Sequence, residues 1–162
     1  MAIPEQGDRR RRSPTHDELR AWRSFIETSE RVKRVVADRL QDDSGLSTGD
    51  YAVLLALSEA PGRRLRSSSL ATEVGWERSR LSHHLGRMER RGLLLREPVA
   101  TDSRGAEVVL TEEGARSFRA GSAPHLRAVR EVFADALTAE QLAALEGAMG
   151  ALDAHLRRED IG

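Results

Sequence analysis

Cysteine is absent from this 162-residue chain. Disulfides, thiolate metal sites and thiol redox sensing are therefore excluded. Aromatic residues make up only 4% of it, and lysine is confined to Lys33. Long apolar runs are missing: none approaches the ~20 residues needed to span a bilayer, and no apolar h-region follows the N-terminus. The expectation is a cytoplasmic protein with no membrane partner. There is no glycine-rich phosphate loop and no clustered carboxylate pair. The adjacent His83 and His84 point about 100° apart on a helix, so no enzymatic constellation is read. The five histidines (16, 83, 84, 125 and 155) show no ligand spacing, and neither a metal nor a cofactor is expected. Net charge is also lacking, at zero, which by itself argues against nucleic acid.

The distribution of charge reverses that last reading. Residues 63–104 hold ten arginines against five acids, and residues 131–160 hold seven acids against two arginines. Segregation of this kind marks an electrostatic footprint. Arginine, rather than lysine, favours bidentate contacts with phosphates and guanine edges. The plainer reading is a solvated helix face.

Along the chain, residues 1–14 read as a flexible basic tail carrying Pro4, Gly7, the run Arg9–Arg12 and Pro14. It either brushes DNA phosphates or is merely solvated. From 17 to 42 the pattern is helical, with Leu19, Trp22, Ile26, Val36 and Leu40 near one stripe and Phe25 beside it. Ser47 and Asp50 have the spacing of a capping box opening a second helix, in which Tyr51 supplies core. "APG" at 60–62 stops it, "RRLR" makes a short strand, and Ser67 or Ser68 caps a short helix. Gly75 turns the chain into residues 77–91, "ERSRLSHHLGRMERR". There Leu81, Leu85 and Met88 recur on one buried stripe. Two short helices joined by a glycine turn, the second basic, form a helix-turn-helix.

"LLLREPV" then reads as a strand, "ATDSRGA" as a turn-rich loop and "EVVL" as a returning strand, together a wing. Thr111 caps a long helix, which "GSAP" at 121–124 is expected to kink or break. Thr138 caps the last helix. In it Leu142, Leu145, Met149, Leu152 and Leu156 step 3, 4, 3, 4, a seam repeat. The fold class expected is mainly α, an α+β winged helix-turn-helix. This seam and the first helix, with Leu19 and Ile26, offer more apolar surface than one small lobe covers, which predicts a symmetric homodimer.

Ser79, Arg80, Ser82 and His83 face outward from the first half of the basic helix, where side chains meet base edges in a major groove. Arg80 suits a guanine bidentately, and His83 can donate to guanine N7 or O6. Arg87, Arg90 and Arg91 meet phosphates or solvent. Gly86 costs about 1 kcal/mol in a helix interior; it either clears the approach to DNA or is simply tolerated. His84 sits at the edge of the buried stripe, as a satisfied core-edge histidine or in a pH- or metal-linked role.

"SSLATEVGWERSRLSHHLGRMERRGLLLRE" and "DSRGAEVVLTEEG" resemble the helix-turn-helix and wing signature of MarR-type regulators. The resemblance covers roughly residues 17–158. It implies one domain over 15–162, with the winged helix-turn-helix at about 47–111 and dimerisation helices at about 17–42 and 112–158. It also implies double-stranded DNA as partner and transcriptional control, often relieved by a small-molecule effector in a cleft. Arg104 matches the arginine that enters the minor groove, and Asp102 the aspartate that braces the wing. Trp22, Phe25 and Tyr51 either line the effector cleft or belong to core or dimer seam. The reading is a sequence-specific repressor acting as a homodimer on a pseudo-palindromic operator. The alternative is a winged-helix protein–protein interaction module. Gel shifts with random duplex at low salt separate the two.

Overall fold

The computed structural model describes residues 13–99 and 102–159. Their order is α1 (His16–Ser44), α2 (Thr48–Glu59), a 3-10 turn (Pro61–Arg63), β1 (Arg64–Arg66), α3 (Ser67–Val74), α4 (Arg78–Arg90), β2 (Leu94–Val99), β3 (Asp102–Leu110), α5 (Glu112–Val132), a second 3-10 turn (Ala134–Ala136) and α6 (Ala139–Glu159). The basic tail to residue 12 lies outside the described residues, as do the side chains of Asp102 and Arg104. Among the described residues, no helix is long and apolar enough to cross a membrane.

The chain divides into two units, one ending at Arg34 and one beginning at Val35. In the first, Thr15 and Glu18 open α1 with reciprocal side-chain-to-backbone bonds of 2.6 and 3.2 Å, which start the helix one residue before the periodicity does. Trp22 and Phe25 pair there at 6.4 Å, and Leu19 and Ile26 are exposed.

In the second unit, three strands in the order β1–β3–β2 form an antiparallel sheet. β1 pairs Leu65 with Val108, and β2 pairs Leu94 with Leu110. One core joins the sheet to the helices. Leu40, Leu54, Leu57, Leu70, Met88, Leu94 and Val108 are all fully inaccessible within it. Truncating any of its leucines to alanine is worth about 2–5 kcal/mol. The expected capping box is present: Ser47 Oγ accepts from Asp50 N, and an Asp50 carboxylate oxygen accepts from Ser47 N, each at 3.0 Å.

Three local expectations are corrected. Neither Ser67 nor Ser68 caps α3. The cap position is Arg66, which makes no side-chain cap bond, and Ser67 Oγ instead donates to Ala106 O at 3.0 Å, tying α3 to β3. "GSAP" does not break α5, which runs through Pro124. Gly121 lies buried against Ser44 and Leu46 upstream of the proline, and Ala128 is buried downstream, so packing on both sides keeps the helix continuous. The wing is strand where a loop was expected. β3 begins at Asp102, opposite Val99, and a register shift between Pro98 and Val99 absorbs the mismatch. Pairing of Asp102 with Val99 and of Ala106 with Pro98 carries the strand through this turn-rich stretch.

Candidate nucleic-acid interface

The path to the interface is set by Gly75. It closes α3 in the left-handed region (φ 67°), a conformation that only glycine adopts at little cost. Its N–H donates to Thr72 O at 3.2 Å, and the N–H of Trp76 donates to Ala71 O at 2.9 Å. The chain thus leaves α3 at a defined angle and starts α4.

Within α4 the predicted sidedness holds. Leu81, Leu85 and Met88 are buried, whereas Ser79, Arg80, Ser82, His83, Arg87 and Arg90 are exposed. The structure therefore brings all six described candidates to one open face. Its floor is a cavity of about 450 Å³ between the N-terminus of α2 and α4, lined in part by Thr48, Gly49, Trp76, Arg80, His84 and Arg87. Gly86 is half-buried, and a Cβ there would reach only Arg90 and Arg96 guanidinium nitrogens at 3.8 and 3.9 Å. The protein's own packing therefore does not require glycine at 86.

His84 is buried, as the core-edge reading has it. Arg87 spans the two histidines, donating to His83 Nδ1 at 3.2 Å and to His84 Nδ1 at 2.8 Å. A guanidinium can only donate, so each Nδ1 must be the unprotonated nitrogen. The His84 proton then sits on Nε2, which lies 3.0 Å from Asp50 Oδ1 but off the line of a hydrogen bond. Burial pushes the His84 pKa below its ordinary 6.5; Asp50 pulls it back up, and Arg87 and Arg91 press it down. Neutral imidazole is the form this site holds.

Asp50 joins α2 to the end of α4. Burial alone would raise its carboxyl pKa, but hydrogen bonds from Arg91 and Ser47 outweigh that and hold it below 3.8. Arg91 donates to Asp50 Oδ2 at 2.7 Å and to Gly45 O at 3.0 Å. Arg91, expected to meet phosphate or solvent, stays 44% exposed but also braces the buried Asp50, because a buried carboxylate needs a cationic donor.

The wing is braced in the same manner. Arg96 Nε and Nη2 both donate to Glu89 Oε2, at 2.8 and 2.6 Å, and Arg96 N donates to Glu89 Oε1 at 3.1 Å, clamping β2 to α4. The bond from Arg96 is the main reason the Glu89 pKa is lowered. At the foot of the wing Gly114 packs directly beneath Leu93, so that any Cβ would overlap the Leu93 carbonyl oxygen. That close approach explains the glycine of "LTEEG".

Of the three residues offered for either an effector cleft or core, Tyr51 packs in the second unit against Phe118 at 5.2 Å and His125 at 4.4 Å, where burial lowers the His125 pKa. Trp22 and Phe25 lie in the first unit. On α6, Leu142 and Leu145 are half-buried and Met149, Leu152 and Leu156 exposed. Sequence reasoning missed Trp76, whose ring stacks under Arg80, and the two arginine–carboxylate braces. The spacing of Trp76 and Arg80, four residues apart across a helix start, was the one local signal of the stack.

The MarR family sequence model matches residues 44–105. The transcriptional regulator HosA of Escherichia coli is 35% identical over 96 residues, 59% of this chain and 69% of that protein. AbsC, a MarR family transcriptional regulator from Streptomyces coelicolor, is 39% identical with a TM-score of 0.82, covering 91% of this chain and 99% of that one. Sco3205, a second such regulator from the same organism, crystallised in complex with DNA, is 37% identical with a TM-score of 0.82 over 88% of this chain and 90% of that one.

Proposed function

The chain belongs to the MarR family of transcriptional regulators, and on that premise we propose that it is a homodimeric repressor that grips a pseudo-palindromic operator and is released by a small-molecule effector. The sidedness of α4 carries the DNA reading. Six polar or basic side chains stand exposed opposite Leu81, Leu85 and Met88, on a helix about 10–12 Å across that suits a B-DNA major groove. The relative Sco3205 in its DNA complex supports it.

In this reading Arg80 pairs a guanine, and His83, Ser79 and Ser82 contact neighbouring edges. Arg87 and Arg90 lie along phosphates. Arg104 enters the minor groove and Asp102 braces the wing, both by likeness to the family. Apolar rows that stay open support the dimer: Trp22 is 58% exposed and Leu156 54%. Such side chains are ordinarily covered by a partner surface, here Leu19 and Ile26 with the Leu142–Leu156 seam of a second copy. Two-fold symmetry then asks for half-site centres about one helical turn, roughly 10 bp, apart. Repression and its relief rest on the family resemblance, with Trp22, Phe25 and Tyr51 as the side chains offered to the effector.

Selection of bound duplex from random DNA, followed by footprinting, tests the reading. Arg80→Ala or His83→Ala should cost about 1–3 kcal/mol on the selected site and relax one base pair per half-site. Arg104→Ala should weaken specific and non-specific duplex together and reduce the salt dependence. Near-neutral results for all three in folded dimers would overturn the DNA-reading face, and the protein–protein interaction module would then lead.

A further inference from the structure

Trp76 stands just before the recognition helix, and its ring is fixed from several directions. Its backbone is closed onto Ala71 by the 2.9 Å bond that ends α3. Its ring rests on α2 where residue 49 has no side chain: a Cβ on Gly49 would lie 2.7 Å from Trp76 Cη2. The His84 ring meets it at 86°, with centroids 5.1 Å apart. On the ring lies Arg80, its guanidinium carbon 4.5 Å from the centroid. Among the described residues Arg80 has no ion pair, whereas Arg91 and Arg96 are committed to carboxylates.

From this arrangement we infer that Trp76 is a positioning residue for base reading, presetting the Arg80 guanidinium against the indole with its donor edge free. The inference rests on the proposed DNA-reading role of α4 and assigns to a residue outside the contact face part of its specificity. Stacking uses the plane of the guanidinium, and guanine recognition uses its edge, so both can be satisfied together. A free arginine gives up rotamer freedom when it binds; one already stacked has given up part of it beforehand. A cation–π contact at an exposed site is worth roughly a factor of two to five in an equilibrium constant. Gly49 belongs to the same device, because it admits the ring.

The test measures affinity by fluorescence anisotropy for two probes: the duplex that the wild-type protein selects from random DNA, and a scrambled duplex of equal length. Trp76→Leu keeps an apolar side chain but removes the aromatic face. It should weaken the selected duplex about two- to fivefold, leave the scrambled duplex unchanged, and relax the same base pair that Arg80→Ala relaxes. Trp76→Phe, which retains a ring, should recover most of the loss. Gly49→Ala, whose Cβ would press on Trp76 Cη2 and also approach His84 Cε1 at 3.0 Å, should reproduce Trp76→Leu on the selected duplex provided the variant melts like wild type. In an Arg80→Ala background, Trp76→Leu should have no further effect. If the tryptophan change costs as much without Arg80 as with it, or if leucine and phenylalanine behave alike, Trp76 acts by packing alone and the inference is overturned. If Arg80→Ala itself leaves both affinities unchanged, the DNA-reading role of α4 fails first, a distinct result that also removes the inference.

Discussion

Replacing Asp50 by Asn isolates the charge that holds α4 to α2. The asparagine side chain keeps the shape of the carboxylate and an oxygen that can accept from Ser47 N, so much of the capping box survives. What is lost is the charge-assisted bond from Arg91, 2.7 Å long, on a carboxylate whose side chain is only 5% exposed. Arg91 is 44% exposed and regains water when released, which discounts the loss from the level of a fully buried pair. A hydrogen bond to a charged group contributes roughly 1.5–3 kcal/mol. The expected cost is about 2 kcal/mol, which for a chain of this size lowers Tm by about 4–8 °C. The pH dependence carries the sign. The Asp50 pKa is lowered in the folded protein from 3.8. Its contribution is thus fully present above that value and is lost as pH falls through the folded pKa. Thermal unfolding by circular dichroism, at fixed protein concentration, should show a steady gap between wild type and variant from neutral pH down to about pH 5, closing in stronger acid. A variant that melts within a degree of wild type at pH 7 would refute the reasoning, since the brace would then contribute nothing.

Three further outcomes follow from the same geometry. Gly114→Ala forces a methyl group into the Leu93 carbonyl oxygen; it should cost about 3 kcal/mol or more, as overpacking against backbone does, read as loss of cooperative unfolding or of soluble protein. Gly86→Ala meets no close atom and should stabilise the fold by up to about 1 kcal/mol. If the same variant binds the selected duplex less well, the missing side chain clears the approach to DNA; unchanged binding would show that the glycine is merely tolerated. His84 holds a pKa lowered from 6.5, so its neutral form stabilises the fold above that pH, and stability falls as pH drops below it. In His84→Gln this acid limb should flatten in denaturant titrations between pH 7 and 5, leaving the share due to His125, whose pKa is also lowered. An unchanged limb would place the titration elsewhere.

What the sequence determined by itself is the part of the protein governed by neighbours in the chain. Leu81, Leu85 and Met88 share a stripe because a helix repeats every 3.6 residues, and that repeat also exposes Arg80, His83 and Arg90. The Ser47–Asp50 capping box and the turn at Gly75 rest on contacts within a few residues, and periodicity and capping chemistry reach that far. The tertiary structure decided what distant residues do to one another. Arg91 reads as one more basic residue until α2 brings Asp50 against it, 41 positions away. Arg96 and Glu89 face each other only once β2 folds back on α4. The same limit explains the corrected expectations: the proline in α5 is tolerated because Gly121 and Ala128 are packed on either side of it, and Asp102 enters a strand because Val99 is there to pair with it. Gly49 and Gly114 carry no local signal, since nothing in their neighbouring residues reveals that Trp76 and Leu93 will lie where a Cβ would be. Local preferences are worth tenths of a kcal/mol per residue. Burying a carboxylate or closing a sheet involves several, and so the long-range pairings settle where the local pattern leaves a choice.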